Sequence, residues 1–224
     1  MSAAQKVKNL AAASRSATAL PYVIVQAGGR GTRMDHYTWN KPKCLTPIDG
    51  RPLLYHLFDQ CGEARFIVIG DYLFETLETY LKTFPPGVSC TLVRASGEGT
   101  CAGLREAVNA IDDPAAAIGL IWCDLLFEKF PEFRIESRPV VGLSNSFACR
   151  WSYGVEKGLV PQLSFNDGVA GFFAFPNKSF LTQVPDNGEF VGWLARTMPA
   201  VDTWRTGVVR AQGREDHLHH VGEL

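Results

Sequence analysis

Gly28, Gly29 and Gly31 fall within four residues, with Arg30 among them and Thr32-Arg33 behind; Lys41-Pro42-Lys43 follows ten residues after the last glycine. The stretch Tyr22–Gln26 before it, YVIVQ, reads as a buried strand. Glycines directly after a strand let the backbone approach a ligand and point several N–H groups at it. The natural ligand of such a loop is phosphate. Two known phosphate cradles are excluded by spacing. A Walker loop needs GxxxxGK[ST], which is absent. The dinucleotide fingerprint GxGxxG needs a third glycine where Met34 stands. The arginines and lysines that follow ask for a polyphosphate with more charge than backbone amides alone would neutralise.

Further candidates lie downstream. Asp124 ends the apolar run of residues 117–127, AIGLIWCDLLF. A carboxylate at a strand end is either a metal ligand or a local cap. Thr100 precedes a helical pattern over 101–111, where threonine is a good cap. Trp151 and Tyr153 alternate, so on a strand they share one face. Such a pair is core packing or, in a pocket, a cage for a quaternary ammonium. Glu189, in NGEFVGWL, contacts a ligand hydroxyl or sits in the first turn of a helix, where an acid is favoured.

The elements that must carry these groups follow from periodicity. Residues 52–61 place Leu53, Leu54, Leu57, Phe58 and Cys61 on one helical face behind Pro52. RFIVIG (65–70) is a second strand, 72–84 a helix stopped by Pro85-Pro86, and VSCTLVRA (88–95) a third strand. The helix over 101–111 and the strand within 117–127 complete a β-α-β-α-β-α-β alternation. That order predicts an α/β, Rossmann-like three-layer αβα fold with a mostly parallel mixed sheet. Ligands in such sheets sit outside the carboxyl ends of strands, where the glycine loop and Asp124 both fall. Residues 139–175 hold shorter candidate strands, PVVGLS, CRWSYGV, LVPQLSF and VAGFFAF, which extend the sheet and build a second wall. Residues 1–20 read as a leader, 21–200 as one nucleotide-binding domain and 201–224 as a solvated tail with three histidines.

Composition narrows the classes. The 224-residue chain has 22 basic and 23 acidic residues and a formal net charge of -1, so a broad nucleic-acid surface is not expected. No apolar run reaches the length of a membrane span. The six cysteines form no CxxC pair and have no spaced histidine partner, which argues against zinc and against a disulfide framework. Reduced, buried thiols in a cytoplasmic protein are the expectation. The leader is rich in Ala and Ser, with Lys6, Lys8 and Arg15 and no acid; that composition suits a transit peptide and equally an unstructured leader, and is read here as the latter.

Taken together, AGGRGTRM (27–34), NKPKCLTPIDGRPLLYHLFD (40–59), GEGTCAGL (97–104), IWCDLLF (121–127) and GVAGFFAF (168–175) resemble the nucleotidylyltransferase family that activates sugar phosphates and phosphocholine-type compounds. The ordered match to GGxGTR, PK and PI-x-G-x-P-L-L carries the resemblance, which covers roughly residues 22 to 197. It implies that an acceptor phosphate attacks the α-phosphate of an NTP in line and that pyrophosphate leaves. It implies that Ala27, Gly28, Gly29, Gly31 and Thr32 line the nucleotide and that Arg33 holds the triphosphate. By the same resemblance Lys43 bridges the α-phosphate and the acceptor, Asp124 holds Mg²⁺, and Gly99 and Thr100 contact the base. Gly171 leaves room for the acceptor, beside Trp151, Tyr153 and Glu189. CTP or UTP is the favoured donor, the product is of the kind used as a cell-envelope polysaccharide precursor, and an oligomer is compatible with the fold.

Three departures stand out. The family's second magnesium-binding Asp has no convincing motif here; Asp167, Asp202 and Asp216 are candidates by position. No C-terminal helical or β-helix extension follows. Gln26 replaces the usual apolar residue and either reaches the base or caps a backbone group. Two other readings share the architecture: an inactive, nucleotide-binding regulatory module, and a nucleotide-sugar glycosyltransferase. The second typically carries a DxD metal motif, and the chain has none.

Overall fold

The computed structural model describes residues 20–127, 130, 135–205 and 207–210. The expected leader (but for Leu20), Asp216 and the histidine-rich end lie outside the described residues. The first half alternates as the sequence predicts: β1 (Tyr22–Gln26), a two-residue ribbon of β2 (Pro47–Ile48) and β3 (Arg51–Pro52), α1 (Leu53–Gln60), β4 (Arg65–Gly70), α2 (Phe74–Thr83), β5 (Cys90–Arg94), α3 (Leu104–Asn109) and β6 (Ile118–Trp122). Then come β7 (Leu125–Phe127), β8 (Val140–Ser144), β9 (Ser152–Gly154), β10 (Gly158–Val160), β11 (Gly168–Phe175), α4 (Phe190–Thr197), β12 (Asp202–Arg205) and β13 (Val208–Arg210).

The main sheet runs β10-β9-β11-β6-β1-β4-β5, with β8 on β11 and β12 on β8. β1, β4, β5 and β6 are parallel, whereas β11 joins β6 antiparallel. The fold is therefore α/β with helices on both faces of a mixed sheet. Strand alternation divides the core. Val23, Val25, Phe66 and Val68 face a cluster with Leu54, Leu57, Phe58 and Leu77. Ile24, Ile67 and Ile69 face the other, with Leu104, Val108, Phe190 and Leu194.

Several boundaries differ from the sequence reading for identifiable reasons. The run at 117–127 breaks at Cys123-Asp124 into β6 and β7, which turns the Asp124 carboxylate out at the rim. The candidate strand at 159–165 stops at Val160, because Pro161 has no N–H to donate to a ladder. The helix expected from 101 starts at Leu104, after Gly103 at φ 76°. The expected tail is also corrected. β12 pairs in parallel with β8, and β13 pairs antiparallel with β7. Residues 202–205 and 208–210 thus belong to the folded unit, and Val208 is buried in its core.

Candidate active site

β1, β4 and β6 end together at the rim of a cleft of about 780 Å³. The glycine loop forms its floor. Ala27 still belongs to the sheet: its N–H donates to the Ile69 carbonyl at 2.9 Å, and its side chain is buried. Beyond it the backbone leaves the ladder, and the amides of residues 28–31 donate to no acceptor among the described residues. Such a run of unpaired N–H groups around a cleft is an anion cradle. Gly31 shows why the loop needs glycine. Its φ is +63°, and a Cβ there would lie 3.0 Å from Thr38 Cγ2 and 3.1 Å from Lys43 Cβ. The loop thereby rests on the stem of Lys43. Arg30 lies over the Tyr72 ring, 5.7 Å from its centroid, rather than simply in solvent, and it lines the cleft with Arg33.

Lys43 and Asp124 meet at the centre. Lys43 Nζ donates to Asp124 Oδ2 at 2.7 Å, and both side chains are largely buried. A third group joins them. Arg210, from β13, donates Nε to the same oxygen at 3.0 Å. Its guanidinium lies 4.8 Å from the Trp122 ring centroid and 5.6 Å from that of Phe147. Burial pushes the Asp124 carboxyl upward, but the charges of Lys43 and Arg210 and their hydrogen bonds outweigh it, holding the carboxyl below the usual carboxylate range. Asp124 Oδ1 is buried with no partner among the described residues. Cys123 beside it is a packing residue: burial first, then Asp124, pushes its thiol up to about 12, against the opposing charges of Lys43 and Arg210.

The far wall is tied together across the chain. Gln26 donates its amide to the Thr100 carbonyl. The Thr100 hydroxyl does not cap the helix that follows it; it accepts from the Phe190 N–H at 2.7 Å. Glu189 finishes the same helix end, accepting from Val191 N–H at 3.1 Å and Gly192 N–H at 2.6 Å. Three orphan donors of α4 are thus satisfied. The Gly99 backbone pairs with Gly188, so the turn at 97–100 is locked to the start of α4.

Residues 23–130 match the family model of the MobA-like NTP transferase domain. This stretch, just under half of the chain, resembles that domain. Over 93 residues the chain is 31% identical to UTP--glucose-1-phosphate uridylyltransferase AglF of Haloferax volcanii, covering 40% of this chain and 37% of that one. It is 32% identical over 87 residues to a Bacillus subtilis protein named "Probable glucose-1-phosphate cytidylyltransferase", covering 37% of this chain and 34% of that one. The chain thus spans little more than a third of the length of these curated relatives. HddC from Yersinia pseudotuberculosis, also solved with GMP-PN, shares the fold at a TM-score of 0.71 and 18% identity, with 90% of this chain and 98% of that chain covered.

The cleft gathers most of the residues singled out from the sequence: Gly28, Gly29, Gly31, Thr32, Arg33, Lys43, Gly99, Thr100, Asp124, Trp151 and Glu189 all line it. Three do not. Ala27 is spent on the sheet, as above. Tyr153 does not line the cleft, although it packs against the same core cluster as Trp151. Of the expected Trp–Tyr pair only Trp151 lines the cleft, where Trp122 is a second indole. Gly171 faces protein rather than open cleft: a Cβ there would lie 2.1 Å from Trp122 Cε3. Its role is to let the indole of Trp122 lie flat on the backbone at φ +96°. Gly171→Ala is expected to cost about 2–4 kcal/mol by urea unfolding, combining overpacking with a left-handed backbone. A cost under about 1 kcal/mol would show that Trp122 moves aside freely.

Among the described residues, no second acid joins Asp124 at the centre. Asp167 is bound by Arg205 at 2.5 Å, Asp202 is exposed at the start of β12, and no group of three or more His, Cys, Asp or Glu able to hold a metal occurs among the described residues. Magnesium nevertheless fits. It is commonly held by one or two carboxylates with substrate phosphates completing the shell, and Asp124 Oδ1 is an unpartnered oxygen in the right place. Sequence reasoning missed Arg210, Trp122 and Arg150 as cleft residues. Arg210 carries no motif of its own; only the strand pairing of β13 with β7 delivers it.

Proposed function

We propose that the chain transfers a nucleoside monophosphate from an NTP to the phosphate of a small phosphorylated metabolite, a sugar 1-phosphate or phosphocholine-like compound, and releases pyrophosphate. The reading rests on one observation: Lys43 Nζ sits 2.7 Å from Asp124 in the cleft floored by the unpaired amides of the glycine loop. The amides of residues 28–31 and Arg33 hold the triphosphate. Lys43 neutralises the α-phosphate where charge grows in the transition state. An oxygen of the acceptor phosphate forms the new bond to the α-phosphorus, and the bond to the β-phosphate oxygen breaks with its electron pair leaving on pyrophosphate. The attacking oxygen is already anionic, so no general base is required. Positioning and charge neutralisation supply the catalysis. Asp124 Oδ1 would hold Mg²⁺, which when bound neutralises and orients the phosphates. The base of the donor, CTP or UTP by preference, lies against the turn at 97–100. The setting is cytoplasmic, with no nucleic-acid partner; no helix among the described residues is long and apolar enough to cross a membrane.

The absence of a second acid at the centre among the described residues favours one competing reading, a nucleotide-binding module without turnover. Thermal unfolding with each of the four NTPs, with and without Mg²⁺, separates the two steps. Saturation at about 100 times Kd adds about 2.7 kcal/mol to stability. One NTP should raise the midpoint in a magnesium-dependent way and then support pyrophosphate release in an acceptor screen. No shift with any NTP defeats nucleotide binding; a shift without release against any acceptor leaves the inactive module.

A further inference from the structure

The charge at the centre does not balance. Asp124 supplies one negative charge, while Lys43 and Arg210 supply two positive ones, and the three side chains are only 7%, 12% and 14% exposed, respectively. A buried excess positive charge is costly unless an anion completes it. Lys43 carries the glycine loop on its stem, so its ammonium serves the nucleotide side. Arg210 reaches the same Asp124 oxygen from β13. Trp122 and Phe147 fix the plane of its guanidinium. Nε is spent on Asp124, and the two terminal nitrogens have no partner among the described residues. A planar fork held by aromatic rings and anchored at Nε presents two parallel N–H donors, the geometry that matches a phosphate oxygen pair. The same cleft is lined also by Ala148, Arg150, Trp151 and Val169.

Resting on the transferase reading above, we infer that Arg210 is the binding residue for the acceptor's phosphate. Its guanidinium is a permanent cation beside Lys43 on the same Asp124 oxygen, so the acceptor phosphate is held without a second acidic residue or a second metal ion there. The recognised class is a phosphomonoester dianion, with the organic part lying along Arg150 and Trp151. The site thus takes one divalent cation per chain.

The test needs no known acceptor. Inorganic phosphate is titrated into the ¹⁵N-labelled full chain, loaded with the α,β-methylene analogue of the NTP that the thermal screen selects and with Mg²⁺. The Arg210 Nε–H resonance, assigned through its side-chain correlations in the ¹³C,¹⁵N-labelled chain and confirmed by its loss in R210K, is followed. Phosphate should shift it. R210K should weaken phosphate binding roughly tenfold through loss of the two-pronged contact, with nucleotide affinity changed less than about threefold. Mn²⁺ titration should count one ion per nucleotide-loaded chain. Equal weakening of phosphate and nucleotide would overturn the assignment by placing Arg210 in the triphosphate site, and so would an unmoved Nε–H or a second Mn²⁺. If R210K does not fold, the wild-type resonance still decides. The two failures separate: phosphate shifting Arg210 in a chain that binds no NTP would defeat the transferase and keep the anion site.

Discussion

Lys43→Ala is expected to lower turnover about a thousandfold, roughly 4 kcal/mol of transition-state stabilisation. The magnitude follows from where the ammonium sits. It is 12% exposed and pinned 2.7 Å from Asp124, so its charge acts at low dielectric and needs no reorganisation as the reaction proceeds. The fold should survive. Asp124 keeps Arg210 as a partner, so the carboxylate is not left bare, and the loss in stability should stay near 1–2 kcal/mol rather than that of a broken buried pair. The NTP-dependent rise in melting temperature should also persist, because the amides of residues 28–31 and Arg33 remain. Lys43→Arg keeps the charge but not the compact point geometry, and should recover little of the rate. Turnover within about tenfold of wild type would remove Lys43 from the mechanism.

Local motifs explain what could be read from sequence. The glycine loop, Lys43 and Asp124 each lie in a short segment whose chemistry and secondary structure agree: a strand, then the group that must stand at its end. The sheet order of the first half follows from the same alternation. What could not be read depends on pairing over long separations. Arg210 reaches Asp124 from 86 residues away, and nothing in VVR distinguishes a cleft arginine from an exposed one until β13 joins β7. Thr100 caps a helix 90 residues distant; the propensity reading rightly found a capping residue and assigned it to the wrong helix. The resemblance puts Gly171 where an acceptor needs room. The close approach is real, but the partner is Trp122. The part of the cleft least legible from motifs is thus the one assembled from β6, β11, β13 and the segment at 148–151.

Asp124→Asn is the most informative change for stability, and its expected effect is large. Asparagine keeps the shape but removes the only negative charge between Lys43 Nζ and Arg210 Nε, both of which lie within 3.0 Å of Oδ2. Two buried cations are then left facing one another, a loss of about 3–5 kcal/mol, or roughly 10 °C in melting temperature for a domain of this size. The pH dependence identifies the cause. The folded-state carboxyl is held below its ordinary value, so its contribution is present above the unfolded pKa of about 3.9 and is lost as pH falls through the lower folded value. The gap between wild type and variant should therefore stay constant from neutral pH to about 5 and narrow only below about 4. Added phosphate should close part of the gap by supplying the missing anion, and the magnesium dependence of the NTP shift should weaken sharply. An unchanged magnesium titration would defeat Asp124 as the metal-binding residue. A gap that already shrinks between pH 7 and 5 would instead place the stabilising charge on another group, and the three-charge centre would not be the unit described above.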